Sequence, residues 1–161
     1  KLERELSNHF YLINDITLHQ GQGTIQIDHV VIGPPGVIAI ETKNITGNYY
    51  PDPEGWLRYP AHTIDGIPVR NYKRTVIPNP QEQSRSQAQA LAAFFDKKSI
   101  RTRIYNLVVL THPRCRFNGK SRSDAPPVLY LKDLCNYICS LKPRVLDDMQ
   151  IREIVKALLQ K

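Results

Sequence analysis

Cysteine is scarce in this chain, with three residues among 161. So small and odd a number does not make a disulfide framework, which points to a reducing compartment, the cytoplasm, and to a fold held by its core. Long apolar runs are missing as well. No stretch approaches the about 18 residues of a membrane helix, and no signal peptide is visible, so no membrane partner is expected. There is no internal repeat and no low-complexity tract. Acidic residues are in deficit, 15 against 22 Lys and Arg, giving a formal charge of +7 and a pI near 9.4. Such a balance suits an anionic partner, nucleic acid being the natural one. The length is that of a single domain, residues 1–161, with chain enough for one core.

The most informative segment is Thr24 to Lys43, TIQIDHVVIGPPGVIAIETK. Thr24 to Ile32 and Val37 to Lys43 are rich in Ile and Val, and Gly33-Pro34-Pro35-Gly36 between them is a turn signal. A hairpin with a four-residue loop places Ile32 opposite Val37, Asp28 opposite Glu41 and Gln26 opposite Lys43. Because side chains alternate with period two, Asp28, Glu41, Lys43 and Gln26 then share a face, while His29 points behind it with Ile25, Ile27 and Val31. Opposed residues have Cβ atoms about 4.5 to 5.5 Å apart. Two carboxylates at that distance repel by roughly 3 to 4 kcal/mol at an effective dielectric near 20. A hard divalent cation offsets that repulsion, since Mg²⁺ is held by one or two carboxylates, water and substrate phosphate. Lys43 would then assist a metal-bound water. The competing reading is a solvated Asp/Glu/Lys cluster, which strands this hydrophobic disfavour.

The rest of the chain reads as alternating elements. Leu2 to Leu6 is the end of a helix and Phe10 to Leu18 a first strand. Gly47 to Pro78 is a Pro/Tyr-rich insertion with the only tryptophan, containing short strands such as Trp56 to Tyr59 and Ile67 to Val69 that form a subsheet beside the active face. A helix follows from Asn79 to about Lys98, with Asn79 as N-cap, Pro80 at its first position and Glu82 placed for a capping box. Ala88, Leu91, Ala92, Phe94 and Phe95 form its packing side, and Gln83 and Gln87 lie one turn apart. Ile104 to Thr111 is a buried central strand and Val128 to Leu131 a shorter one. A helix with Cys135 and Cys139 in its apolar stripe follows, and Val145 to Leu159 closes the domain. This order predicts an α/β fold with a mixed central sheet.

Two runs resemble those of a known family. QIDHVVIGPPGVIAIETKNITG is similar to the signature of the NERD (nuclease-related) domain of the PD-(D/E)XK nuclease superfamily. Asn79-Pro80-Gln81-Glu82-Gln83 resembles its downstream Asn-Pro-x-x-Gln element. The resemblance implies a restriction-endonuclease-like core (αβββαβ) flanked by helices. It further implies that Asp28, Glu41 and the Thr42 carbonyl bind Mg²⁺ or Mn²⁺, that Lys43 serves the nucleophile, and that Gln83 is the helical glutamine near the site. Family members also carry a Gly-Glu pair in the first helix whose Glu joins the site. Alignment puts that Glu upstream of Lys1, so the chain reads as an N-terminally trimmed fragment with Glu3 and Glu5 as the available substitutes. NERD domains often accompany other domains, so the resemblance implies a fused or associated helicase, kinase or defence domain as a candidate partner.

For phosphate contacts the first choice is the polar loop after the central strand, with Arg114, Arg116, Lys120 and Arg122. Other basic groups are Arg70, Lys73 and Arg74, and Lys97, Lys98, Arg101 and Arg103. Tyr49, Tyr50, Trp56, Tyr59 and Tyr72 either stack on bases or pack the insertion to the domain. The expected function is a metal-dependent nuclease hydrolysing phosphodiester bonds, of DNA first, with metal-activated water. The alternatives are a catalytically silent nucleic-acid-binding module and a protein-interaction module of a larger protein.

Overall fold

The computed structural model describes Leu6 and residues 9–59, 63–64, 67–68, 75–119, 124–143 and 145–160. These form strands β1 (Tyr11–Gln20), β2 (Gly23–Gly33), β3 (Gly36–Lys43), β4 (Gly47–Asp52), β5 (Gly55–Tyr59), β6 (Thr63–Ile64), β7 (Ile67–Pro68) and β8 (Thr75–Ile77). Helix α1 (Pro80–Lys97), strands β9 (Ile104–Leu110), β10 (Cys115–Phe117) and β11 (Val128–Tyr130), and helices α2 (Leu134–Ser140) and α3 (Asp148–Leu159) follow. The central sheet has the order β1-β2-β3-β9-β11. Its first three strands are antiparallel neighbours, whereas β3-β9 and β9-β11 are parallel. It is therefore the expected mixed sheet of an α/β fold, consistent with a restriction-endonuclease-like core. The helix expected to end at Leu6 lies outside the described residues except for Leu6. Among the described residues no helix is long and apolar enough to cross a membrane.

The hairpin has the register that its turn predicts, with Ile32 opposite Val37 and His29 opposite Ile40. Pairing runs one step further than expected, to Gly33 and Gly36, so the loop is Pro34-Pro35 and not four residues. Gly36 has φ +135°, and a side chain there would meet the Arg103 carbonyl at 2.3 Å. That carbonyl accepts from the Val37 N–H at 2.9 Å, so only glycine allows the approach of β3 to the start of β9.

Strict alternation fails at one point. Ile25 and Ile27 were expected behind Asp28, yet they pack with Val30, Ile32, Val37 and Ala39 in the core under α1 and α3. On β1 the same change of parity occurs, since Ile13, Ile16 and Leu18 all join that core. The cause lies at Asp15, whose φ of 53° is left-handed and which interrupts the ladder between the Asn14–His29 and Ile16–Ile27 pairs. This step lets both halves of the β1–β2 pair bury apolar side chains on one side. Asp28 is left at the corner. His29 does point to the other face, where its Nδ1 is 2.7 Å from Asn14 Oδ1 across the strands.

The opposite face of the sheet packs Val31, Ile38, Ile40, Leu107 and Val109 against Leu134 and Ile138 of α2. Cys135 is buried with them but Cys139 is exposed, so only one of the pair belongs to the apolar stripe. At the C-terminal end Met149 and Leu159 are also solvent-facing, at 76% and 65% exposure. Asp147 caps α3 in a reciprocal capping box with Gln150. In α1 the Asn79 side chain accepts from the Gln81 N–H at 2.9 Å as expected. Glu82 pairs with Arg85 instead of closing a capping box.

Strands β4, β5 and β8 from the 47–78 segment join β10 in a second sheet, ordered β10-β4-β5-β8. Tyr49, Trp56 and Cys115 bury against Val108 and Leu110 of β9. Parallel pairing sets Val108 beside Glu41 and Leu110 beside Lys43. Side-by-side residues share a face. The second sheet thus covers the same side of the central sheet as α1, next to the ends of β3 and β9. Tyr49 and Trp56 are 2% and 0% exposed, so they pack this sheet and are not free to stack on bases.

Candidate active site

One step beyond the last β2–β3 ladder pair, His29 and Ile40, the side chains of Asp28 and Glu41 line an open gap. Asp28 Oδ2 accepts from both the backbone N–H and the hydroxyl of Thr42, at 2.9 and 2.8 Å. A carboxylate has here taken the bond that the ladder would have made. In an antiparallel pair the N–H and C=O of one residue aim at the same neighbour, so the Thr42 carbonyl is directed to the Asp28 side as well. Glu41 is only 6% exposed. Lys43 Nζ lies 2.5 Å from its Oε1, and Gln87 Nε2 of α1 donates to its Oε2 at 2.5 Å. The same Gln87 nitrogen donates to the Gln26 backbone carbonyl at 3.1 Å. An open cleft of about 520 Å³ lies over this corner, with Asp28 and Glu41 on one side and Gln83 and Gln87 of α1 on the other.

The structure therefore brings together Asp28, Glu41, Thr42 and Lys43, with Gln83 in the facing wall. Gln83 makes no bond to Glu41, and its Oε1 is buried without a partner. Gln87 makes that bond instead. Ser84, Gln87, Leu91 and Phe95 are buried on one stripe of α1, but Gln83 stands one turn before Gln87 on the same side, so helical spacing alone does not distinguish the two. The packing stripe is Ala90, Leu91 and Phe95, with Ala88 and Ala92 only half-buried. Gln26 lies past the end of the ladder, so it contributes its carbonyl and not a side chain paired with Lys43.

The basic groups divide by position. Arg114 and Arg116 are exposed and sit at the end of the sheet that carries Lys43. Thr111 N–H donates to the Lys43 carbonyl at 3.1 Å and Gly47 N–H to the Arg114 carbonyl at 3.2 Å. Lys97, Lys98, Arg101 and Arg103 lie between the end of α1 and the start of β9, at the far end of the sheet from Lys43. Glu3, Glu5, His62, Arg70, Tyr72, Lys73, Arg74, Lys120 and Arg122 lie outside the described residues, as does the side chain of Tyr59.

The donors at the corner suit a hard cation. Asp28 and Glu41 supply carboxylate oxygens and Thr42 a carbonyl, all oxygen ligands of the kind that Mg²⁺ and Mn²⁺ take. Asp28 Oδ1 takes part in neither Thr42 bond. Among the described residues no cluster of three or more His, Cys, Asp or Glu is placed to hold an ion.

The family model of the nuclease-related domain (NERD) matches residues 1–111. An uncharacterized protein of Bacillus anthracis is 26% identical over 153 residues, or 94% of this chain, which spans 66% of that relative's length. No solved structure matches. The matched span runs through β1–β3, α1 and β9 and includes the Asp28–Glu41–Lys43 corner together with the glutamines facing it. The chain belongs to the nuclease-related domain family, within the PD-(D/E)XK nuclease superfamily.

Proposed function

We propose that this domain is a Mg²⁺- or Mn²⁺-dependent nuclease that hydrolyses phosphodiester bonds of nucleic acid, DNA being the expected polymer. The observation that carries this reading is the corner itself: two carboxylates and a carbonyl edge converge where β2 and β3 separate, under an open cleft, with an ammonium on Glu41. Asp28, Glu41 and the Thr42 carbonyl are the residues to hold the cation. When bound, it supplies Lewis-acid activation of water and neutralises charge on the phosphoryl group.

The chain's own groups supply the rest. Thr42 fixes Asp28 through two bonds to one oxygen, so the carboxylate is oriented before any ligand arrives. Lys43 is held by Glu41 and has further N–H donors for the nucleophile or a phosphoryl oxygen. Its positive charge stabilises the negative charge that develops at phosphorus. Gln83 offers an amide from the opposite wall. Arg114 and Arg116, exposed beside the end of β3, suit the polymer backbone on either side of the scissile phosphate.

A second reading has its own observation. Both oxygens of Glu41 already receive donors from within the protein, Lys43 and Gln87. A catalytically silent module that binds nucleic acid through its basic surface would keep that arrangement and need no metal. One experiment separates the two. Mn²⁺ titration by calorimetry, paired with plasmid cleavage in Mn²⁺ or chelator, is run on the chain and on Asp28→Ala, Glu41→Ala and Lys43→Ala. The nuclease reading expects saturable binding lost with Asp28 and metal-dependent cleavage lost in all three. DNA binding without Mn²⁺ binding or cleavage would move the assignment to the silent module.

A further inference from the structure

Gln87 is 4% exposed, on the buried stripe of α1 between Ser84 and Leu91. Its Nε2 faces two acceptors, Glu41 Oε2 at 2.5 Å and the Gln26 carbonyl at 3.1 Å. Neither of these can donate, so turning the amide over would oppose oxygen to oxygen, and the orientation is fixed by its surroundings. Its Oε1 is consequently buried with no donor. A buried acceptor left unpaired is destabilising, because it has given up water and gained no donor. As core filling, glutamine is thus a poor choice; leucine or methionine would occupy the same stripe without an orphaned oxygen.

What glutamine adds is a donor without charge. It holds one oxygen of Glu41 while leaving the carboxylate's negative charge intact, and Lys43 holds the other oxygen. The same nitrogen ties the β2 backbone to Glu41 of β3 beyond His29–Ile40, where the ladder has ended. The corner is therefore pinned from α1 as well as by the Asp28–Thr42 bonds, beyond the last backbone pair of the β2–β3 ladder.

We infer that Gln87 is a positioning residue of this site, which sets the Glu41 carboxylate and the β2–β3 gap for a divalent cation. The inference rests on the metal site proposed above. It differs from the motif, which points to Gln83 and not to the residue one turn on.

The test is Mn²⁺ calorimetry on the 161-residue chain, Asp28→Asn, Gln87→Leu, Gln87→Met and the exposed-position control Gln89→Leu, with melting temperatures and plasmid cleavage across a Mn²⁺ series. Both Gln87 variants are expected to fold but to melt somewhat below the parent, because Glu41 Oε2 and the Gln26 carbonyl lose a buried donor, and to bind Mn²⁺ about 10- to 100-fold more weakly, the usual effect of losing a ligand's supporting partner. Their cleavage rate should recover at saturating Mn²⁺, because Gln87 acts on occupancy. Parental affinity in both variants, with binding lost in Asp28→Asn, overturns the inference and leaves the metal site standing. A rate defect that saturating Mn²⁺ does not restore, or failure of both variants to fold, assigns Gln87 to general structure and also overturns it. No Mn²⁺ binding by the parent chain overturns the metal site and the inference together.

Discussion

Asp28 and Thr42 are joined twice through a single carboxylate oxygen, by the Thr42 N–H at 2.9 Å and its hydroxyl at 2.8 Å. This pair replaces a rung of the β2–β3 ladder and orients Asp28 toward the cleft. Asp28→Asn keeps an oxygen to accept both bonds while removing the charge. It should abolish cleavage and Mn²⁺ binding yet melt at or above the parent temperature, because a carboxylate repulsion with Glu41 is relieved. Asp28→Ala leaves the Thr42 N–H unpaired and should lose about 1 to 3 kcal/mol. Chemical denaturation of the two variants beside a cleavage assay checks both parts; equal destabilisation of Asn and Ala would contradict the account.

Asp15 governs the change of face in the sheet. Its left-handed φ of 53° is tolerated by Asp but resisted by β-branched residues. Asp15→Gly should leave stability equal or higher, and Asp15→Val should lower it by about 1 to 3 kcal/mol, the cost of forcing such backbone strain. Because Ile16, Leu18 and Ile27 depend on this step for burial, Asp15→Val should also increase amide exchange along β1, measurable by NMR.

Helix α1 ends with Ser99 in the left-handed region, φ 56°. Its N–H donates to the Asp96 carbonyl at 3.0 Å and the Ile100 N–H to the Phe95 carbonyl at 2.9 Å, the paired bonds of a Schellman ending. Glycine is the residue this position favours. Ser99→Gly is expected to stabilise the domain by up to about 1 kcal/mol, from relief of the positive-φ penalty. A drop in the denaturation midpoint would refute that cap geometry.

Burial pushes the Cys115 thiol above its ordinary 9.0, and burial also raises the hydroxyls of Tyr49 and Tyr137 above their ordinary 10.0. At alkaline pH the unfolded chain releases these protons first, so unfolding is favoured as pH rises. Their contribution should be complete below about pH 9 and fall away above it, with the onset moved upward in Cys115→Ala. Melting temperatures from pH 7 to 11 measure this. In the folded state a maleimide reagent should modify the exposed Cys139 and leave Cys115 untouched.

Much of this was legible in the chain. The Gly33-Pro34-Pro35-Gly36 turn fixes the hairpin register by local geometry, and the register puts Asp28 and Glu41 on facing strands. Asn79-Pro80 marks the start of α1, since cap and first-turn chemistry are local too. The apolar run from Ile104 shows a strand buried on both faces. Such features depend on neighbours a few residues away, and period and turn chemistry record them.

The tertiary structure decided the rest. No sequence period reveals the reversal at Asp15, because it arises from the need of both halves of the β1–β2 pair to bury their Ile and Leu side chains beneath the same helices. Nor does spacing along α1 choose between Gln83 and Gln87. That choice depends on how the helix packs on the sheet through Ala90, Leu91 and Phe95, and it is Gln87 that this packing brings to Glu41.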